Sequence, residues 1–249
     1  MKNSLSFMVG VGGVLAAPLW IQPAMAGSDE HLYLPTVEQG VKEIELHYGH
    51  WNQDPAQPQT DTAIGFGYGV NAWWFTEVAV KGTRANGQPT AYEATEWENR
   101  FQLTEPGRYP VDVGFLLEIE RPRDHAEGWE VKYGPLFQTE FGKIQLNANL
   151  LFERHVRGEG SGDTEMGYQW QAKYRWREPL EFGLQGFGEF GKWNDWAPES
   201  ERGNRVGPAV FGKLPLGGHR SIGYNVAWLI GTSSAAPSHN LRAQVEYEF

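Results

Sequence analysis

Apolar and polar residues alternate along most of this chain with a period of two. Successive side chains of a strand point to opposite faces, so each alternating run predicts a strand with one apolar and one polar face. In 109–121, Val111, Val113, Phe115, Leu117 and Ile119 share one face, and Asp112, Gly114, Leu116, Glu118 and Glu120 share the other. In 129–141, Trp129, Val131, Tyr133, Phe137 and Phe141 oppose Glu130, Lys132, Gln138 and Glu140. Segment 144–155 sets Ile144, Leu146, Ala148, Leu150 and Phe152 against Gln145, Asn147, Asn149, Glu153 and His155. Segment 166–176 sets Met166, Tyr168, Trp170, Ala172, Tyr174 and Trp176 against Gln169, Gln171, Lys173 and Arg175. The same template covers 41–51, 62–70, 73–83, 92–103, 180–193, 205–214, 220–232 and 239–249, making twelve strands. Two of these fit less cleanly. Phe187 falls on a polar face, and Pro208 removes a ladder donor from 205–214.

The runs are separated by Gly, Pro, Asn and Asp, and the connections alternate in length. Longer ones (52–61, 84–91, 122–128, 156–164, 194–204, 233–238) alternate with shorter ones (71–72, 104–108, 142–143, 177–179, 215–219). An up-and-down barrel with short turns at one end and longer loops at the other has this order, and an even strand number returns both termini to one side. A soluble barrel would turn its apolar face inward, but twelve strands enclose more volume than one inward layer fills. Large aromatics also gather near the ends of the runs: Trp51, Trp73, Trp74, Tyr109, Trp129, Trp176, Trp193, Tyr247 and Phe249. Such rings form girdles at the two lipid–water interfaces. The predicted fold is therefore all-β, a twelve-stranded antiparallel up-and-down transmembrane β-barrel over 41–249, with its apolar face on lipid. With the N-terminus in the periplasm, the longer loops lie outside.

Composition narrows the chemistry. The formal net charge is −10 and there is no cysteine. Disulfides, iron–sulfur clusters and thiol chemistry are excluded, and an acidic chain without a basic cluster argues against nucleic acid. Lys2, the apolar stretch Leu5 to Ile21 and Ala24-Met25-Ala26 read as a cleaved secretory signal peptide over 1–26. Residues 27–40 form an N-terminal periplasmic segment or a plug, and Leu32, Tyr33 and Leu34 give it something to bury.

With the apolar face outward, the polar face becomes the lumen. Its candidate lining residues are Glu43, Glu45, Glu96, Glu98, Arg100, Asp112, Glu118, Glu120, Glu130, Lys132, Glu140, Glu153, Lys173, Arg175 and Arg242. One reading is an acidic, water-filled channel favouring cations or neutral polar solutes, because rings of charge set pore selectivity. The other is a salt-bridged filling that conducts poorly. His47 and His50 are three apart on a strand and point to opposite faces, so no metal is expected there, and no cofactor anywhere. His219-Arg220-Ser221 is the one candidate catalytic spacing, and it falls at a short turn.

The chain ends Leu241-Arg242-Ala243-Gln244-Val245-Glu246-Tyr247-Glu248-Phe249. This resembles the final strand of bacterial outer-membrane β-barrel proteins, which typically close on an aromatic residue. The resemblance implies the outer membrane of a Gram-negative bacterium, membrane lipid as surroundings, and a barrel assembly machinery that reads Tyr247 and Phe249. His31-Leu32-Tyr33-Leu34-Pro35 and the stretch Glu38 to Leu46 look like uncharacterised outer-membrane proteins near the putative phenol-degradation-pathway (MetA-pathway) group. That implies passage of hydrophobic or aromatic solutes. His219 and Ser221 match the His-x-Ser pair of lipid A deacylase, but Ile222 stands where that family has Asn. Outer-membrane phospholipase A is also twelve-stranded. The function expected is an outer-membrane channel or transporter for small solutes, with an acidic lumen. The alternatives are a lipid-modifying enzyme and a non-conducting structural barrel.

Overall fold

The computed structural model describes residues 27–52, 58–158 and 162–249. The signal peptide expected over 1–26, and the middles of two long loops, lie outside the described residues. Strands β1 (Lys42–Asn52), β2 (Gln59–Asn71), β3 (Trp74–Ala85), β4 (Ala91–Gln102), β5 (Asp112–Pro122) and β6 (Trp129–Phe141) are followed by β7 (Ile144–Val156), β8 (Glu165–Arg177) and β9 (Leu180–Lys192). A two-residue rung, β10 (Asp195–Trp196), extends β9 into its loop. Strands β11 (Arg205–Gly217), β12 (Arg220–Gly231) and β13 (His239–Glu248) complete the chain.

Each barrel strand pairs antiparallel with two neighbours. The final strand pairs with the first, Glu43 opposite Glu248 and Asn52 opposite His239, and β8–β9 pairing makes the sheet continuous. The result is a closed barrel of twelve strands, with β10 outside it. Closure leaves no unpaired sheet edge.

The pleat turns the apolar set outward. In β5, Asp112, Gly114, Leu116, Glu118 and Glu120 are buried, and the intervening Val113, Phe115, Leu117 and Ile119 are more exposed. On β1 and β2, Ile44, Leu46, Ile64 and Phe66 are exposed, as are Val78, Trp97, Leu184 and Trp228 elsewhere around the wall. Trp73, Tyr109, Trp129, Trp176, Trp193 and Phe249 stand exposed near strand ends.

Four details depart from the sequence pattern. Trp51, expected in a rim girdle, is buried, with the Arg205 guanidinium 5.6 Å from its ring centre. Met166, expected on the outer face, is buried beside a register shift at Met166/Gly167, where strict alternation breaks. Strand β11 runs straight through Pro208, which sits exposed opposite Leu184. The turn between β4 and β5 spans 103–111, longer than the 104–108 expected, because β5 begins only at Asp112. Pro106 and Pro110 supply no N–H for a ladder. Thr104 bridges the gap instead, its hydroxyl accepting from Val113 N at 2.8 Å.

Candidate functional site

The inside of the barrel holds two kinds of polar wall. Strands β1 and β3–β7 bring carboxylates against a few cations. Lys81 lies 2.8 Å from Glu120 and 3.6 Å from Glu96. Lys132 lies 2.9 Å from Glu118, 3.7 Å from Glu130 and 3.9 Å from Glu153. Arg100 Nε is 2.7 Å from Glu98, while its Nη2 is 3.4 Å from Glu43. These side chains are largely buried, so each ion pair replaces lost hydration with opposite charge and hydrogen bonds.

From β6 to β9 the inner face carries amides instead. Gln145 and Asn147 donate to Gln138 Oε1 at 2.9 and 3.0 Å, Gln171 donates to Asn147 at 3.4 Å, and Gln185 donates to Gln171 at 2.8 Å. Arg242, 1% exposed, closes this ladder by donating to Gln185 Oε1 at 2.5 Å. An amide both donates and accepts, so a row of them satisfies itself without net charge.

Residues 28–40 run inside the barrel between these walls. Near the loop end, Ser28 donates from N and Oγ to Asp61 Oδ2 at 2.9 and 2.6 Å, and Asn240 donates to Ser28 O at 2.9 Å. Glu30 is held by Arg205 and accepts from Gln169 Nε2 at 2.9 Å. Midway, Tyr33 donates its phenol proton to Glu118 at 2.7 Å and accepts from Asn149 through its carbonyl at 3.0 Å. Toward the turn end, Val37 N donates to Gln102 at 2.8 Å and Gly40 N donates to Gly69 O at 2.8 Å. Close approach requires glycine along this path. A Cβ on Gly49 would stand 2.1 Å from Ser28 C, and one on Gly69 1.9 Å from Glu38 O. Burial, with Glu118 adding to it, pushes the Tyr33 phenol well above its usual range. Burial, with His47 adding to it, holds His31 well below its own.

Beside this segment, toward the turn end, lies a cavity of about 920 Å³. Charges of both signs face it, among them Glu43, Glu246, Lys173 and Lys213, together with Phe75 and Phe211.

No protein-family model and no curated protein matches the chain. Solved structures do. An outer membrane channel from Pseudomonas putida F1 superposes with a TM-score of 0.55 at 11% identity, over 91% of this chain and 99% of that one. The NanC porin gives 0.52 at 9% identity, over 83% and 98%. The translocator domain of the autotransporter NalP from Neisseria meningitidis gives 0.51 at 11% identity, over 85% and 89%.

The chain has the fold of a bacterial outer-membrane β-barrel. In this barrel Glu43, Glu45, Glu96, Glu98, Glu118, Glu120 and Arg242 are buried, and Arg100, Glu130, Lys132, Glu153 and Lys173 are partly buried and interleaved with them. Asp112 is also buried, but its carboxylate accepts from Gly107 N at 2.7 Å and so braces the β4–β5 turn. Glu140 and Arg175 pair at 2.9 Å at the turn end, each side chain more than two-fifths exposed. Tyr247 and Phe249 stack with centroids 5.4 Å apart at the same end. Ser221 donates to Glu248, and His219 is exposed in the preceding turn.

Among the polar residues inside the barrel that the sequence pattern did not single out are the part-buried Glu30 and the buried Asp61, Glu77 and Arg205. Asp61 falls at the end of the 52–61 connection in the sequence pattern but lies within β2. Glu77 lies between Phe75 and Ala79 on its face, so that face does not read as polar. The spacing of four to Lys81 was the available signal, since both then point the same way.

Proposed function

We propose that the protein is an outer-membrane channel for small solutes and that residues 27–40 plug its bore. The observation that carries this reading is the path of the N-terminal segment, bonded from Ser28 on Asp61 to Gly40 on Gly69. A closed barrel with an apolar outer belt suits lipid, since every backbone group is paired within the sheet. Two of the similar structures are a channel and a porin, which supports the same reading. The signal peptide over 1–26 would export the chain, and Tyr247 and Phe249 would present it to the assembly machinery.

Among the candidate lining residues the carboxylates outnumber the cations, and Glu43 and Glu246 border the large cavity. This supports passage of cations or neutral polar solutes. A second reading, passage of aromatic solutes, is favoured by Phe75, Trp176, Phe211 and Tyr224 on the same cavity.

Planar-bilayer conductance tests the proposal. The wild type should conduct weakly, and the Glu30→Ala/Asp61→Ala variant, which frees the segment near the loop end, should conduct severalfold more. Glu246→Lys should lower the cation preference. Silence from both wild type and freed variant would sink the channel and favour a structural barrel or a lipid-modifying enzyme. Equal conductance would sink the plug.

A further inference from the structure

Strand β2 presents Gly65 and Gly67 to the interior. They stand opposite Glu45 and Glu43 of β1 on one side, and Ala79 and Glu77 of β3 on the other. A Cβ on Gly65 would lie 2.1 Å from Glu77 Oε1, and one on Gly67 would lie 2.8 Å from Glu43 Cγ. Side chains from β1 and β3 therefore lean over a strand that has none of its own at these positions. The two strands are about 9–10 Å apart, twice the strand spacing. Even so, carboxylate oxygens from Glu43, Glu45 and Glu77 come within 4.8 Å of one another. All three residues are buried.

The surroundings under-supply positive charge. Arg100 reaches Glu43 at 3.4 Å, but its closer contact is Glu98 at 2.7 Å. His47 Nε2 lies 3.1 Å from Glu45, which Gln244 also contacts. Glu77 is 4% exposed, and its Oε2 is buried with no hydrogen-bond partner. Leaving a carboxylate oxygen so is costly. A cavity of about 40 Å³ adjoins Glu77, lined also by Gly65, Ala79 and His47; Lys81 and Lys132 reach its wall too, but they are paired with Glu96, Glu120 and Glu118. The cavity exceeds the roughly 10–15 Å³ one water-sized sphere occupies. The neighbouring trio Glu96, Glu98 and Glu118 is just as tight, but Lys81, Lys132, Arg100 and the Tyr33 hydroxyl already attend it.

We propose that Glu43, Glu45 and Glu77 bind one calcium ion, which ties β1 to β3 across the glycines of β2. The donors are carboxylate oxygens, as a hard cation prefers, and Ca–O distances of about 2.3–2.6 Å span the observed separation from a point between them. Magnesium needs a tighter octahedron at about 2.0–2.1 Å. His47, held on Glu45, orients that carboxylate. The site stands whether or not the barrel conducts.

The test is isothermal titration of the folded, EDTA-treated barrel in detergent micelles with calcium chloride. The wild type should give one saturable event. Glu77→Gln should weaken it by roughly tenfold or more, since affinity in oxygen sites follows ligand charge. Gly65→Ala should weaken it likewise, by displacing the Glu77 carboxylate. Asp163→Asn, on an exposed loop-end pair with Lys192, should leave it unchanged. Faster migration of unboiled than boiled protein on a denaturing gel shows that each variant is folded; should Glu77→Gln not fold, Gly65→Ala decides. No saturable event in the wild type overturns the proposal, as does an affinity that both Glu77→Gln and Gly65→Ala leave intact.

Discussion

Strands β3–β6 carry Lys81, Arg100 and Lys132 among Glu96, Glu98, Glu118 and Glu120, whereas β7–β9 carry Gln145, Asn147, Asn149, Gln169, Gln171 and Gln185. Both sets are buried or part-buried polar groups inside one barrel. In the first wall each cation serves several carboxylates, so one side chain neutralises a neighbourhood. In the second each amide bonds one to three others, Asn147 the most. A charged wall concentrates the consequences of a substitution, because the remaining buried charges lose their partner together. An amide wall spreads them, since each loss is a few neutral hydrogen bonds. The N-terminal segment joins the two walls, with Tyr33 giving its hydroxyl proton to Glu118 and taking a bond from Asn149 at its carbonyl.

The comparison is open to breaking by substitution, with stability read as the urea midpoint of the folded, gel-shifted form in micelles. Lys132→Met should cost the most, about 3 kcal/mol, because it strands the buried Glu118 with Glu130 and Glu153 beside it. A loss under about 1 kcal/mol would show that water inside the barrel screens the wall. Gln171→Leu should cost about 1–2 kcal/mol, the loss of its bonds to Gln185 and Asn147. A cost equal to that of Lys132→Met would erase the distinction between the walls. Tyr33→Phe should cost about 1 kcal/mol, since Glu118 keeps Lys132. Arg175→Gln should cost least, under about 0.5 kcal/mol, because its partner Glu140 is solvated at the turn end. A larger loss there would mean that the turn end is drier than its exposure indicates.

Much of this was legible in the chain. The twelve runs and the grouping of Glu43, Glu45, Glu96, Glu98 and Glu118 on polar faces follow from a period of two, because the pleat sends alternate side chains to opposite sides whatever the strand's neighbours are. The outward turn of the apolar face needed the strand number and the aromatic rims as well. Met166 escaped the period of two, because a register shift displaces it from strict alternation. Trp51 obeyed it, sharing the inner face of β1 with Glu43 and Glu45; the girdle expectation missed it, and Arg205 lies over its ring. The amide wall was visible as letters but not as a ladder, since its bonds run across strands. Gly65 and Gly67 read as ordinary strand glycines until β1 and β3 flank them.

The sequence by itself determined that alternating segments would pair into a sheet with an apolar and a charged side, because that depends only on local spacing and solvation. The tertiary structure alone decided which charges meet. Tyr33 finds Glu118 across 85 positions, and Glu30 finds Arg205 across 175. Glu43, Glu45 and Glu77 converge only because the register sets two glycines between them. Such encounters depend on strand order, closure and the path of 28–40 through the interior, none of which a local pattern encodes.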